Sequence, residues 1–353
     1  MAVRSLAGIG GEVLMLLSRV AGRIYWAARY TERAEDTARI VRTHGELMAD
    51  LPATARVRWE PLVSITGGDK AYTATRPELD LLAQQQQQSQ MVAPAQDLQA
   101  QEEQAVVEFL VADRLNPGSV TSCVFAAREN LRTTRDTLPR EAWMTLNDLS
   151  LYVGSESDRS VERRRRERFL GRVVADSRRL DGVLATAMTH DEAYVMWRLG
   201  RAIERSDMTT RVLGVQAAAV LALHSSAHEW GEDVDDHDEV QWMSVLRSLS
   251  GLQAYQRAVR GPIEGPKVVH FLLQHDRFPR AVRALLREIR RALAELPDPG
   301  AALDAVDRID AQLHDSAAAA SDGAALDDAM EALQATIAAL DRRITDRYLR
   351  AGS

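Results

Sequence analysis

The sequence predicts an all-α protein, a multi-helix bundle, on three observations. Apolar residues recur at three-and-four spacing along most of the chain. Alternating apolar and polar runs bounded by turn residues, the mark of strands, are scarce. Hydrophobic residues make up 46% of the chain and aromatic residues only 5%, so Ala, Leu and Val carry the apolar share, a composition that favours helix. The 353 residues are enough for an adequate core and are expected to form one helical domain over 13–353 behind a loose leader, 1–12.

The first long helix is expected from Val13 to Asp50, with Gly22 and Gly45 as weak points and Pro52 beyond its end. A shorter helix over Arg58–Ile65 ends at Gly67-Gly68, and another opens after Arg76-Pro77-Glu78, where proline suits a first turn. The glutamine tract from Gln84 to Gln90 has no packing face, and 84–97 reads as a low-complexity insertion in a loop or a solvated helix extension. Helix resumes near Gln99 and stops at Asn116-Pro117-Gly118. Further helices are expected over Ser119–Thr137, Arg140–Tyr152, Asp158–Thr189, Asp191–His224 and Trp242–Arg260, where Gly261-Pro262 intervenes. Lys267–His275 and Pro279–Glu295 continue the pattern, and Ala301–His314 and Asp322–Arg350 close it. Such a series of amphipathic helices buries its apolar faces most economically as a bundle.

Charge and cysteine usage exclude several classes. The formal charge of −7 argues against a general nucleic-acid-binding or polybasic membrane-binding role. The single cysteine, Cys123, cannot form an internal disulfide or a thiolate metal cluster, which points to a reduced, cytoplasmic setting. No apolar stretch reaches the length of a membrane span; Val212–Leu223 is too short and contains Gln216. Leu6–Leu17 has the outline of a signal-peptide core, but Gly8, Gly10 and Gly11 break it and Glu12 charges it, so no export signal is expected. Lys70 and Lys267 are the only lysines among 44 basic residues, which reflects either genomic composition or a demand for bidentate pairing.

One motif occurs twice. Tyr25, Arg29, Glu32-Arg33, Glu35, Thr37 and Arg39 correspond in kind to Trp197, Arg201, Glu204-Arg205, Asp207, Thr209 and Arg211, each pair 172 residues apart. At about 100° per residue, Tyr25, Arg29, Glu32, Asp36 and Arg39 fall on one helix face, as do Trp197, Arg201, Glu204 and Arg211, with Met208 in the place of Asp36. Each stripe puts a carboxylate between arginines one turn away, and the aromatic at its end points to partial burial. Two readings follow. The stripes pack the two long helices together through a pseudo-symmetric ion-pair network that fixes register, or they line a cleft and present arginines to an anionic ligand or partner tail.

These residues resemble the alpha-E family, a bacterial all-helical domain of unknown function defined by a Glu-Arg motif. Three segments carry the resemblance: Leu17-Ser18-Arg19 through Glu32-Arg33-Ala34-Glu35 to Arg39; Asn116-Pro117-Gly118 with Arg128-Glu129-Asn130, Trp143 and Asn147; and Asp191-Glu192 through Glu204-Arg205 to Arg211. Tyr255 and Phe271 to Phe278-Pro279-Arg280 form a weaker fourth. His190 and Ala281 depart from the family pattern, which has an arginine and a serine there. The resemblance implies an accessory or scaffold subunit of an ATP-grasp amidoligase and transglutaminase-like peptidase system, with those two proteins as partners and a peptide or related metabolite as target. The alternative is an enzyme with an Arg/Glu-lined cleft acting on an amide or an anionic small molecule. The candidate ligand- or partner-binding polar network comprises Arg29, Glu32, Arg33, Glu35, Arg39, Arg128, Glu129, Asn130, Arg201, Glu204, Arg205, Asp207 and Arg211.

Other constellations are weaker. His224 and His228 stand four apart with Glu229 and His237 nearby, but the tract from Glu232 to Glu239 reads as a solvated acidic loop and no metal is expected. Arg163 to Arg166 and Arg168 read as a solvated helix face, or else as a docking surface for an acidic partner or a phosphate. No glycine loop that cradles phosphate occurs, so no cofactor is expected. Cys123 reads as a small packing residue rather than a nucleophile.

Overall fold

The computed structural model describes residues 10–50, 57–75, 95–230, 235–321 and 323–350. Among the described residues there are fourteen α-helices and no strand, as the spacing of apolar positions requires.

α1 (Gly10–Asp50) begins three residues inside the expected leader; glycine costs a helix only about 1 kcal/mol, which a terminus tolerates. α2 (Pro61–Ile65) is shorter than expected and opens on its proline. α3 (Asp69–Thr75) lies beyond the glycine stop and was not legible in the pattern; Gly67 takes φ 69° and turns the chain into it. The helix expected after Pro77 and the glutamine tract lie outside the described residues. α4 (Ala95–Val107) takes in the last residues of the expected insertion and ends in a π-helical turn, Glu108–Ala112.

Asn116 then reverses the chain, its Nδ2 donating to the Phe109 carbonyl and its Oδ1 accepting from the Gly118 amide, both at 2.9 Å. Ser119 caps α5 (Val120–Arg132) by accepting from the Ser122 amide at 3.1 Å. α6 (Arg140–Glu156), α7 (Arg163–Ala187) and α8 (Glu192–Trp230) follow near their expected spans. The single helix expected over Trp242–Arg260 is instead two, α9 (Asp235–Ser248) and α10 (Leu252–Ala258), because Ser250 adopts φ 54° and breaks the hydrogen-bond ladder. α9 also makes Asp235 to Glu239 helical rather than part of a loop. α11 (Gly265–Gln274), α12 (Val282–Ala294), α13 (Gly300–Ala318) and α14 (Gly323–Ile344) complete the fold.

α1 and α8 form the largest helix–helix contact and the axis of the bundle. α5 and α7 cover α1, α12 and α14 cover α8, and α9 touches both. The buried apolar side chains make one continuous cluster reaching from Ala21 in α1 to Tyr348 after α14. The two axial helices approach closely at Gly200, where a Cβ would press into the Tyr25 carbonyl oxygen and stand 3.0 Å from the Ala28 Cβ. Ala28 and Gly200 are equivalent positions in the repeat, so the crossing sits on the pseudo-twofold axis that relates the two motif copies. The Glu-Arg pairs lie one turn beyond it on each helix.

Candidate functional site

The two Glu-Arg pairs bind each other across the crossing. Arg29 Nε and Arg33 Nε donate to the Glu204 carboxylate at 2.7 and 2.5 Å. Arg205 Nε and Nη2 both donate to Glu32 at 2.8 Å, and Arg201 Nε reaches it at 3.3 Å. On both helices the glutamate is held by arginines of the partner helix, because the crossing brings each face against the other. Only the next layer is intrahelical, where Arg39 Nη1 donates to Glu35 and Arg211 Nε to Asp207, each at 2.8 Å. An outside aspartate completes each half. Asp341 from α14 binds Arg29 at 2.7 Å and accepts from the Tyr25 hydroxyl. Asp181 from α7 binds Arg201 and accepts from Trp197 Nε1 at 3.2 Å. Both stripe-end aromatics are fully buried.

The halves then diverge. The Glu204 half is balanced, with Arg29 and Arg33 facing Glu204 and Asp341. The Glu32 half is larger and open. Arg280, just ahead of α12, is buried and bridges Glu32, Glu35 and Asp36 at 2.9, 3.2 and 2.7 Å. Arg178 on α7 donates through Nε to Glu35 and through Nη2 to the Ser250 hydroxyl, each at 2.9 Å. Above these groups lies a cleft of about 420 Å³ whose wall includes Ser177, Arg178, Asp181, Arg201, Phe278 and Arg280.

Electrostatics follow from this packing. Burial pushes the Glu32 carboxyl up, but Arg205, Arg280 and Arg201 outweigh it and hold the group well below the usual carboxylate range. Glu204 behaves alike, brought down to about 2 by Arg33 and Arg29 against its burial. Asp36 is the opposite case: complete burial raises it despite Arg280 and Arg39, and its Oδ2 has no partner among the described residues. Burial and the neighbouring Arg39 lower the affinity of Arg280 for its proton. Burial also raises Asp207 beyond what Arg211 offsets.

Of the sequence-derived candidates, Arg29, Arg33 and Glu204 meet in one half of the crossing and Glu32, Glu35, Arg39, Arg201 and Arg205 in the other, and Asp207 and Arg211 form a pair beside them. Arg128, Glu129 and Asn130 do not join. Arg128 Nε donates to Asn147 Oδ1 at 2.9 Å and its guanidinium lies over the Trp143 ring. Glu129 is solvent-exposed against Arg132, and Asn130 Nδ2 donates to the Ala126 carbonyl. They are half-buried or exposed on the outer side of α5, while Ala127 and Leu131 on the same helix are buried in the core. Reading one stripe at a time missed Arg178, Asp181, Arg280 and Asp341, which come from other parts of the chain; only Arg280 had a signal, within Phe278-Pro279-Arg280. The arginine run on α7 is solvated in part, yet Arg166 is buried and donates to Glu103 Oε1 and the Val161 carbonyl at 2.7 Å. Cys123 is fully buried, which pushes its thiol up to about 12, so it packs as expected. His224, His228, Glu229 and His237 lie outside the described side chains.

No solved structure matches the chain. Uncharacterized proteins of Mycobacterium bovis and Mycobacterium tuberculosis are 25% identical over 293 residues, covering 79% of this chain and 30% of their own length. The chain therefore spans about 30% of the curated relatives it matches. A family model, Alpha-E, described as a predicted alpha-helical domain with a conserved ER motif, matches residues 16–349. With both Glu-Arg pairs at its axis, the chain belongs to the Alpha-E family.

Proposed function

We propose that the chain is a recognition subunit, an accessory or scaffold component of an ATP-grasp amidoligase and transglutaminase-like peptidase system that handles a peptide or related metabolite. The observation that carries this reading is the open Glu32 half: a cleft walled by arginines that carboxylates and helices hold in place, an arrangement suited to receiving an anionic group. The lone cysteine, buried with its thiol raised to about 12, is unsuited to act as a nucleophile at neutral pH. In the mycobacterial relatives the matching region is joined to a much longer remainder, which fits a module that works beside other domains. No described helix is long and apolar enough to cross a membrane.

The test is affinity purification of the tagged chain from its native bacterium. Co-purification of an ATP-grasp-like protein, encoded beside it, is the expected result; a chain recovered alone, with neither partner encoded nearby, would end this reading. The same cleft supports the enzyme alternative, and turnover of an amide or anionic small molecule by the purified chain without a partner would replace the subunit reading with it.

A further inference from the structure

The geometry points to a ligand for the Glu32 cleft: one carboxylate, borne by a small molecule or a peptide C-terminus, gripped by Arg178 and Arg201 with the Ser177 hydroxyl beneath it. The inference deepens the recognition reading of this cleft and rests on it.

Charge selects the class. The connected Glu32 half contains five arginines, Arg39, Arg178, Arg201, Arg205 and Arg280, against four carboxylates, Glu32, Glu35, Asp36 and Asp181. The Glu204 half, built from the same motif, has equal numbers of each. Among the described residues, one positive charge is therefore unmatched on the open side alone. A carboxylate neutralises it, whereas a phosphate monoester brings close to two charges beside four fixed anions.

Position selects the residues. Arg205 and Arg280 form the floor, with side chains only 11% and 7% exposed and facing Glu32. Arg201 and Arg178 rise to the mouth, 19% and 51% exposed. Each guanidinium has five N–H donors. Arg178 uses its Nε and Nη2 on Glu35 and Ser250, and Arg201 its Nε and Nη1 on Glu32 and Asp181, so both retain donors for an incoming oxygen. These held forks are preorganised, which is what bidentate carboxylate recognition requires.

A separate observation marks the same spot. Ser177 is 3% exposed and lines the cleft, yet its Oγ has no hydrogen-bond partner among the described residues. A buried hydroxyl left unpaired is costly, and a ligand oxygen or a water would satisfy it. Ser177 and Arg178 both line the cleft, so one ligand carboxylate can serve both.

Calorimetric titration of the purified full chain tests this with N-acetyl-Ala-Ala, its C-terminal amide, acetate and inorganic phosphate. The free carboxylate should bind and the amide should bind at least about tenfold more weakly, as expected for losing a charge-assisted hydrogen bond. Arg178→Gln should weaken binding by about tenfold or more and Ser177→Ala by a few-fold, with melting temperatures near wild type, since neither change empties the core. Acetate binding as tightly as the peptide would assign the site to a free carboxylate and tighter peptide binding to a chain terminus; both support the proposal. It is overturned if the amide binds as well as the acid, if phosphate binds more tightly than any carboxylate, if neither variant alters affinity, or if no carboxylate binds at millimolar concentration. Binding without partner recovery would overturn the subunit reading alone, and partner recovery without binding would overturn this one alone.

Discussion

Glu204 and Glu32 occupy equivalent positions, but their removal should have unequal effects. Replacing Glu204 by Gln leaves Arg33 without its carboxylate and Arg29 with only Asp341, so a loss on the order of 2–4 kcal/mol is expected. After Glu32→Gln, Arg205 loses its hydrogen-bonded carboxylate but still has Asp36 and Glu35 nearby, Arg280 keeps Glu35 and Asp36, and Arg201 keeps Asp181, so the loss should be smaller. Chemical denaturation of the two variants compares them; equal midpoints would contradict the asymmetry. Acid separates Glu204 from another buried group. Its folded pKa of about 2 lies below the usual carboxylate value, so its contribution is complete above about pH 4.5 and falls away as pH drops toward 2. His44, buried edge-on against Trp59, has its pKa lowered by burial to about 4. It is neutral when folded and gains a proton on unfolding below about pH 6.5, so its share of stability is complete above that value and declines as pH falls toward 4, by about 3 kcal/mol in all. His44→Leu should abolish the decline between pH 6.5 and 4 and leave the lower one, as melting curves across pH would register. A decline in that window unchanged by the substitution would refute the assignment.

Between the helices, one glycine carries the register. Gly200→Ala drives a methyl group into the Tyr25 carbonyl at the closest approach of α1 and α8. Because that neighbour is backbone, the helices must separate, and a cost of about 1–3 kcal/mol or more is expected, with the Glu32 and Glu204 pairs stretched together. A melting temperature equal to wild type would show that the crossing is looser than the geometry implies. The constant offset of the repeat makes the two motif helices legible from sequence, as does burial of Tyr25 and Trp197. Which helix each glutamate faces is not legible, since helical spacing places an arginine one turn away on its own stripe as readily as on a partner's. The same limit hides Asp181, Arg178 and Asp341, whose role arises only once α7 and α14 pack against the axis. The break between α9 and α10 escapes for a different reason: Ser250 adopts a positive φ that few serines take, so the apolar spacing runs on through it.

At the scale of the molecule, α14 distinguishes apolar packing from ion pairing as the source of cohesion. Its buried positions, Leu326, Met330, Leu333, Ile337, Leu340 and Ile344, recur at alternating steps of four and three and are 0–2% exposed against α8 and α13. The same helix supplies Asp341, which closes the Glu204 half of the network through Arg29 and Tyr25. At about 1.5–3 kcal/mol for each large apolar side chain, removing six from their packing costs on the order of 10 kcal/mol or more. That rivals the entire stability of an ordinary domain, about 5–15 kcal/mol. Losing the Asp341 carboxylate alone leaves Arg29 bound to Glu204 and should cost about 1–3 kcal/mol. Ending the chain after Ser321 should therefore abolish cooperative melting and expose the outer face of α8, driving association of the truncated protein. Asp341→Asn should stay monodisperse and helical, with a melting temperature lowered by a few degrees. Circular dichroism melts and size-exclusion chromatography of the two proteins side by side decide the matter. A truncated chain that melts cooperatively near the wild-type temperature would mean that α8 needs no cover on this face, and that the α1–α8 crossing with its two ion-pair halves is sufficient to hold the bundle.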